Sequence, residues 1–340
     1  MPEVTVAIPL LNGGALFAGV LEALREQTVE HELLVCDSGS RDGSAELARE
    51  HGARVLKVAP ERFSHGGTRN RLLEAAGGER VALLTQDAQP ADGRWLEKLL
   101  AGFELAGDVA IVYGPYIPRA DASLPGSLEL RRWFASLSDG GQPAVERLGD
   151  GERSRPAIEL MGRRGFLTDA NACIARAAWE RVPFREVPYA EDRVLAIDML
   201  RAGYAKAFVP GAGVLHSHDY SAGEELRRCF DEWRGLLEVY GWREPASPRS
   251  RLSRLRGELG SARRELTAEG MAGAPLLAAL AAVTRHHVLR SAGALLGSRA
   301  DRLPQGARCR LSLEGREGYA PLGLDAELIS PTTAERPPSR

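Results

Sequence analysis

Residues 4–14 read VTVAIPLLNGG, and this opening stretch sets the expected fold. The β-branched, apolar run over 4–9 predicts a strand, and Asn12-Gly13-Gly14 predicts a turn. A helix is expected over 16–26, because apolar residues recur there at helical spacing. No basic segment precedes the apolar run, so the N-terminus is interpreted as a first strand rather than a signal peptide.

The same strand-loop-helix pattern repeats along the first third of the chain. Strands are predicted over 32–36, 53–58 and 80–84, and helices over 45–51 and 68–76. This alternation predicts an α/β fold with a mostly parallel sheet and helices on both faces. A strand at 111–113 is followed by a loop-rich region around one helix at 128–136. Further strands are expected at 170–174, 207–209 and 213–216, with helices at 177–181, 191–202 and from 224 to about 298.

The composition is that of an ordinary soluble chain. Of the 340 residues 44% are apolar, and 44 basic against 46 acidic side chains give a formal charge of −2. That balance gives no support for a nucleic-acid partner. The four cysteines stand far apart, so the spacing encodes neither a zinc knuckle nor a disulfide framework and indicates a reduced, cytoplasmic protein. The most apolar later stretch, 272–283, is shorter than the roughly 20 residues of a spanning helix.

Three polar clusters lie at or near the ends of predicted strands, where open α/β sheets bind ligands. They read DSGSRDGS at 37–44, SHGGTRN at 64–70 and TQDA at 85–88. The first cluster has two interpretations that composition does not separate. It is either a turn with a helix cap, or a loop whose aspartates and serines hydrogen-bond a base and a ribose.

Asp87 and the His216-Ser217-His218 segment are candidate metal ligands. A lone aspartate after a strand is usually a turn residue, but a carboxylate at this sheet edge also suits a hard cation bound to substrate phosphates. Glu191 and Asp192, at a predicted helix start, also have two interpretations. They either complement the helix dipole, or one of them is a general base for a substrate hydroxyl.

The order of these motifs resembles the family 2 glycosyltransferases with the GT-A fold. The resemblance runs from Val4 to about Tyr220 and rests on VAIPLLN at 6–12, DSGSRDGS at 37–44, TRN at 68–70, Asp87, the pair at 191–192 and PGAGVLH at 210–216. Within the family, HGGTRN at 65–70, LTQDA at 84–88, EDR at 191–193 and HSHDYS at 216–221 look most like the rhamnosyltransferase branch, whose donor is dTDP-L-rhamnose. Thr85 departs from the family pattern, since it replaces the first carboxylate of the D-x-D motif.

The resemblance implies a role for each candidate residue. Asp37 would pair with the pyrimidine base and Arg69 would lie near the donor phosphates. Asp192 would be the catalytic base, with Glu191 as its catalytic neighbour. The nucleotide-sugar site as a whole would comprise Pro9, Leu11, Asn12, Asp37, Ser38, Arg69, Gln86 and Asp87. Mg²⁺ or Mn²⁺ would be held by Asp87, His216 and His218, and the acceptor side would include Asp169 and Asn171.

The implied enzyme is an inverting hexosyltransferase that uses a dTDP- or UDP-sugar and a glycan or lipid-linked acceptor. Its expected organisation is a nucleotide-sugar-binding half at 1–115, an acceptor-binding and catalytic half at 116–222, a helical extension at 223–300 and an irregular tail at 301–340. The arginine-rich helices of the extension are either a solvated face or a contact with the inner face of the cell membrane.

Two other functions stay open at this point. Sugar-1-phosphate nucleotidyltransferases carry a G-x-G-T-R loop, similar to Gly66-Gly67-Thr68-Arg69, but theirs follows the first strand. A degenerate transferase that only binds glycan or nucleotide sugar as a scaffold is supported by Thr85 alone. The retained Asp192 and His216 count against that scaffold.

Overall fold

Strand β1 (Val4–Leu10) forms where the sequence predicts it and lies inside an eight-stranded sheet. Val6, Ala7 and Ile8 have no exposed surface, so both faces of the strand are covered. Burial on both faces is typical of parallel strands that have helices on each side. The computed structural model describes residues 3–315.

Eleven strands occur among the described residues. In chain order they are β1, β2 (Glu32–Asp37), β3 (Arg54–Lys57), β4 (Arg80–Leu84), β5 (Gln89–Pro90), β6 (Val109–Tyr113), β7 (Tyr116–Ile117), β8 (Ala144–Glu146), β9 (Asn171–Ala175), β10 (Ala205–Phe208) and β11 (Val214–Leu215). The large sheet has the order β3-β2-β1-β4-β9-β6-β10-β8, and a small sheet has the order β5-β11-β7.

The large sheet is parallel at its N-terminal end and mixed beyond it. Strands β3, β2, β1 and β4 run parallel to one another, and so do β6 and β10. Strand β9 runs antiparallel between β4 and β6, and β8 pairs antiparallel with β10. The predicted α/β class with a large central sheet is confirmed. The reversed direction of β9 was not predicted, because a strand buried on both faces has the same apolar pattern in either direction.

Eleven α-helices accompany the strands within residues 3–315. They are α1 (Gly14–Arg25), α2 (Ser44–Glu50), α3 (His65–Ala75), α4 (Trp95–Ala101), α5 (Leu124–Leu137), α6 (Arg176–Trp179), α7 (Glu191–Arg201), α8 (Ala222–Tyr240), α9 (Pro248–Ala268), α10 (Gly273–Gly297) and α11 (Gln305–Leu311). Short 3₁₀ turns lie at Pro60–Arg62, Gly102–Leu105, Asp150–Glu152, Ala157–Leu160 and Ala300–Arg302. The helix α4 was not predicted.

In helix α1 the buried residues can be compared with those that the apolar pattern predicts. Val20, Leu21 and Leu24 are buried as their spacing predicts. Leu16 was expected on the same face but is 48% exposed, and Phe17 takes the buried position. The apolar spacing therefore predicts the buried side of α1 but not which residue of its first turn covers the core.

The described chain divides into two compact units. Unit 1 contains residues 3–116 and 134–216 with the large sheet, and unit 2 contains 117–133 and 217–315. The predicted four-part organisation stays a prediction, although divisions of the structure at 116/117 and 216/217 lie close to two of its boundaries. The predicted irregular tail contains the helix α11, and its remainder, 316–340, lies outside the described residues.

Unit 2 is a helical assembly with its own apolar core. Buried side chains of α5, α9 and α10 form this core: Leu128, Ala262, Leu266, Ala279 and Val283. Helix α8 starts at a capping box between Ser221 and Glu224 and ends at Gly241, whose φ of 67° suits glycine. Among residues 3–315, no helix combines the length and the apolar character needed to cross a membrane.

His286 of α10 joins three helices of unit 2. Its Nδ1 contacts the carboxylate of Glu225 on α8, and its Nε2 lies 2.9 Å from Oε2 of Glu129 on α5. Burial alone would lower the pKa of His286, but the hydrogen bonds with Glu129 and Glu225 outweigh burial and raise the pKa to about 8. The protonated imidazole, which donates from both nitrogens, is therefore the form that this contact stabilises.

Candidate active site

The loops that follow β1, β2 and β4 meet at one edge of the large sheet. The N–H of Leu11 donates to Oε1 of Gln86 at 2.7 Å, and Nε2 of Gln86 donates to the Leu11 carbonyl at 3.0 Å. The N–H of Asn12 donates to Oγ of Ser40 at 2.9 Å. The predicted nucleotide-binding residues of three loops thus form one hydrogen-bonded network, as expected for the carboxyl ends of neighbouring parallel strands. Pro9 lies within β1, opposite Cys36.

Asp37 ends β2 at this edge and is 6% exposed. Its Oδ1 accepts a hydrogen bond from the N–H of Ser40 at 3.0 Å, so it stabilises its own turn. Its Oδ2 accepts no hydrogen bond from the residues the structure describes. The neighbouring Ser38 hydroxyl donates to the Leu10 carbonyl at 3.0 Å, which fixes the β1 and β2 loops to each other. Asp37 is therefore a turn residue whose Oδ2 takes no part in the turn, and its predicted contact with the base stays a prediction.

Asp87 and His216 are brought together by the small sheet. Strand β11 pairs antiparallel with β5, and Leu215 lies opposite Gln89 in that pairing. Asp87 precedes β5 and His216 follows β11, so the pairing sets His216 Nδ1 3.6 Å from Asp87 Oδ1. His216 is the last residue of unit 1, and His218 follows it by two residues. Potential ligand atoms of Asp87, His216 and His218 all lie within 4.8 Å of one another, which fits a single metal ion.

Arg69 connects three separate segments of unit 1. It lies on α3, is 3% exposed and forms two ion pairs. Its Nε lies 2.7 Å from Oδ2 of Asp169, and its Nη1 lies 3.0 Å from Oε1 of Glu191 at the start of α7. A buried arginine paired with two carboxylates fixes their positions, and removal of the arginine would leave buried negative charge unpaired. The predicted place of Arg69 near the donor phosphates stays a prediction.

Asp192 lies beside this charged cluster. Burial, together with the negative charge of Asp169, raises the pKa of Asp192 to about 7. Burial likewise raises the pKa of Asp169 to about 7, against the opposing charge of Arg69. A carboxylate with a pKa near neutrality holds and releases a proton at physiological pH, which is the property of an efficient general base.

The backbone before Asp192 is strained. Ala190 precedes α7 with a φ of 57°, in the left-handed region that a residue with a Cβ rarely adopts. The non-glycine residues at positive φ among those described are Ala190 and Asn12, and each is at or next to a predicted site residue. Strain of this kind persists only where surrounding contacts impose it, and it concentrates at functional sites. Here it sets the direction in which Glu191 and Asp192 leave the backbone.

Comparison with known proteins identifies the family of this chain. Residues 5–145 match the family model described as Glycosyl transferase family 2. The O-antigen chain rhamnosyltransferase RfbN of Salmonella typhimurium is 32% identical over 236 residues, which are 67% of this chain and 71% of that protein. This chain belongs to glycosyl transferase family 2. The O-antigen chain rhamnosyltransferase WbaN of Salmonella anatum is 31% identical to this family 2 glycosyltransferase over 238 residues, 68% of this chain and 71% of that protein.

The fold of the glycosyltransferase also has a solved counterpart. The mannosyltransferase PcManGT from Pyrobaculum calidifontis, in complex with GDP-Man and Mn²⁺, has a TM-score of 0.56 and 18% identity, and the match covers 87% of each chain. This similarity confirms the predicted GT-A fold. The family membership confirms the predicted glycosyltransferase activity, whereas inversion at the anomeric carbon stays a prediction.

Tyr116 is a site residue of the glycosyltransferase that the sequence analysis missed. Its ring packs edge-on against His216 with centroids 4.6 Å apart, and its hydroxyl contacts the hydroxyl of Thr168, the neighbour of Asp169. Burial raises the pKa of Tyr116 well above its ordinary value, so the phenol is neutral. Tyr116 thus connects His216 with the segment that carries Asp169. Only its position after an apolar strand could have indicated this role.

Asn171, predicted on the acceptor side, has no exposed surface. Its Oδ1 accepts from Trp95 Nε1 at 2.9 Å, and its Nδ2 donates to the carbonyls of Pro115 and Ala212 at 3.1 and 2.8 Å. Gly114 permits this crossing, because a Cβ there would lie 1.8 Å from the Ala212 carbonyl oxygen. Asn171 therefore positions the strand ends, and its place on the acceptor side stays a prediction.

Proposed function

We propose that this glycosyltransferase moves L-rhamnose from dTDP-L-rhamnose to a hydroxyl of a glycan or lipid-linked acceptor, with inversion at the anomeric carbon. The observation that carries the proposal is the half-buried carboxylate of Asp192 at the start of α7, whose pKa is about 7. The two O-antigen rhamnosyltransferases similar to this chain support rhamnose as the sugar. The proposed place of action is the cytoplasm, at the inner face of the cell membrane.

Asp192 performs the proton transfer in this proposal. The acceptor oxygen forms a bond to the anomeric carbon as the bond from that carbon to the diphosphate oxygen breaks. The proton of the acceptor hydroxyl passes to Asp192, and the nucleoside diphosphate leaves with the bonding electron pair. One displacement from the face opposite the leaving group inverts the configuration.

Asp37 recognises the base of the donor. Its Oδ1 is engaged by the N–H of Ser40, and its Oδ2 accepts the ring N–H of a pyrimidine. Leu11, Asn12 and Gln86 shape the loop around the nucleotide through their mutual hydrogen bonds. Because the loop is already ordered, little conformational entropy is lost when the donor binds.

Asp87, His216 and His218 fit a divalent cation, Mg²⁺ or Mn²⁺, by the closeness of their ligand atoms. One carboxylate with imidazole nitrogens suits a manganese-like ion that keeps other positions for phosphate oxygens. When bound, such an ion stabilises negative charge on a leaving diphosphate. Thr85 offers no carboxylate, so we expect the ion to bind weakly without nucleotide and tightly with it.

Arg69 supplies positive charge to the carboxylate cluster. It pairs with Asp169 and Glu191, so Asp192 is the remaining carboxylate for a proton from the acceptor. The glycines before Arg69 serve helix packing, since a Cβ on Gly66 would lie 2.4 Å from the Arg185 carbonyl oxygen. Packing of this kind argues against a phosphate-cradling loop and against the nucleotidyltransferase alternative. The ordered site around Asp192 favours a catalyst over a scaffold.

A panel of nucleotide sugars tests the proposal. Thermal unfolding of the full chain with Mn²⁺ should show the largest stabilisation by dTDP-L-rhamnose, because a ligand that binds only the folded state raises stability with its concentration over Kd. Product analysis by NMR should show the inverted anomer. Stronger stabilisation by a GDP-sugar, or a retained configuration, would contradict the proposed donor or mechanism.

A further inference from the structure

Helices α9 and α10 of unit 2 expose an unusual combination of side chains. The 43 residues from 248 to 290 contain eight arginines, no lysine and three glutamates, a net charge of +5 in a chain whose net charge is −2. The α9–α10 surface consists of the exposed residues Arg249, Leu252, Arg256 and Arg263 of α9 and Leu277, Ala281, Arg285 and Val288 of α10.

The α10 part of this surface is one apolar stripe. Residues 277, 281, 285 and 288 recur at spacings of four, four and three, so they lie on the same side of the helix. Leu277 is 69% exposed and Val288 is 49% exposed. Arg285 is the single charged member of the stripe. The side of a helix that faces water is normally polar, so an outward stripe of this composition indicates a partner.

The α9 part supplies uncompensated positive charge. Arg249, Arg256 and Arg263 follow one another at intervals of seven residues, next to Leu252 on the same side of the helix. Within residues 3–315 none of these three arginines, nor Arg285, forms an ion pair. Guanidinium groups that are free of carboxylates are available to bind phosphate in two-point contacts.

The α9 and α10 parts of the surface meet at one cavity. Leu252 of α9 and Val288 of α10 line the same cavity of about 500 Å³, and both are about half exposed, so they lie at its mouth. Helix α10 is held firmly against α8, since a Cβ on Gly293 or Gly297 would lie 2.6 or 2.3 Å from a carbonyl oxygen of α8. The outward stripe is thus displayed by a packed helix rather than by one that can turn inward.

We propose that the α9–α10 surface docks on an anionic lipid bilayer. Leucine and valine side chains would enter the boundary between headgroups and acyl chains, and the flanking arginines would contact lipid phosphates. The choice of a membrane over another acidic partner rests on the proposed function, in which the acceptor is lipid-linked. Contacts of this kind lie at the bilayer surface, so binding is reversible and depends on salt.

Vesicle sedimentation with the full chain tests the surface. At 0.15 M salt the protein should bind vesicles of 70% phosphatidylcholine and 30% phosphatidylglycerol and bind pure phosphatidylcholine vesicles much more weakly. Each basic residue near an anionic surface contributes roughly fivefold to partitioning, so Arg256→Gln with Arg263→Gln should lower binding about 30-fold. The matched pair Arg25→Gln with Arg181→Gln, on exposed positions of unit 1, removes the same charge and should leave binding unchanged.

The apolar stripe has its own variant. Leu277→Ser with Val288→Ser should weaken binding to the same vesicles without a change of net charge. Equal binding by the parent and both α9–α10 variants would overturn the proposal, and so would equally tight binding of polyglutamate or DNA. A protein that fails to bind vesicles but transfers sugar to a soluble acceptor refutes only the docking surface. A protein that binds vesicles but does not bind or turn over the donor refutes only the proposed function.

Discussion

Replacement of Asp192 by Asn tests the chemistry of the site most directly. Asparagine keeps the size of the side chain but cannot take a proton, so kcat for transfer should fall by about 10²–10⁴-fold, the usual contribution of a general base. The dissociation constant for the nucleotide sugar should stay near the parental value, because Asp192 acts on the acceptor. Transfer assays measure kcat, and calorimetry separately measures the dissociation constant for the nucleotide sugar.

The raised pKa of Asp192 also predicts how kcat/KM depends on pH. With a pKa of about 7, the carboxylate is ionised to roughly 90% at pH 8 and roughly 10% at pH 6. The parental kcat/KM should therefore fall about tenfold between those values, whereas an aspartate of ordinary pKa would give a flat profile. Asp169→Asn should move the midpoint to lower pH, because the negative charge of Asp169 helps to raise the pKa of Asp192.

Asp198→Asn is the matched control. Asp198 lies on the same helix, but its carboxylate pairs with Arg185 at 2.7 Å, so its loss should leave the pH profile unchanged. If Asp192→Asn retained the parental rate and profile, Asp192 would be a carboxylate that only complements the helix start. The base would then have to be sought elsewhere.

Three further predictions concern the donor, the metal and stability. Asp37→Ala should weaken binding of dTDP at least tenfold. Asp42→Ala removes a carboxylate from the same loop and should have a smaller effect. Equal losses of dTDP affinity would make Asp37 only a turn residue. Asp87→Asn and His216→Gln should each raise the Mn²⁺ concentration needed for half-maximal activity. The control is Asp92→Asn, because the Asp92 carboxylate pairs with Lys98. Full parental activity in excess chelator would contradict the metal site. The pKa of about 8 for His286 lies above the ordinary 6.5, so its contribution of about 2 kcal/mol should be complete below pH 6.5 and lost as pH rises through 8. Denaturant unfolding at pH 6 and pH 9 should show this dependence in the parent and in His287→Gln but not in His286→Gln.

Local patterns predicted the strands and helices from β1 to β4 well, because strand-loop-helix units determine their own boundaries. The pattern could not show that Arg69 pairs with Asp169 and Glu191, since these residues lie on three segments far apart in the chain. It also missed Tyr116, whose neighbours are set by the pairing of β11 with β5 rather than by its own sequence. Motif order identified the loops of the site. Only the tertiary structure showed which charged side chains form ion pairs with one another.

The position of β9 has a consequence for how the protein is made. This strand lies between β4 and β6, although it follows β6 in the chain by nearly sixty residues. While the ribosome is still synthesising residues 114–170, β4 and β6 have no partner on their facing edges, and unpaired edges of apolar strands promote association between nascent chains. Because the sheet closes through contacts between distant segments, folding of unit 1 should be slow and should follow synthesis of β9. A fragment limited to residues 1–115 would preserve the nucleotide-binding loops in sequence but leave the edge of β4 exposed, so the donor site is a poor candidate for study in isolation.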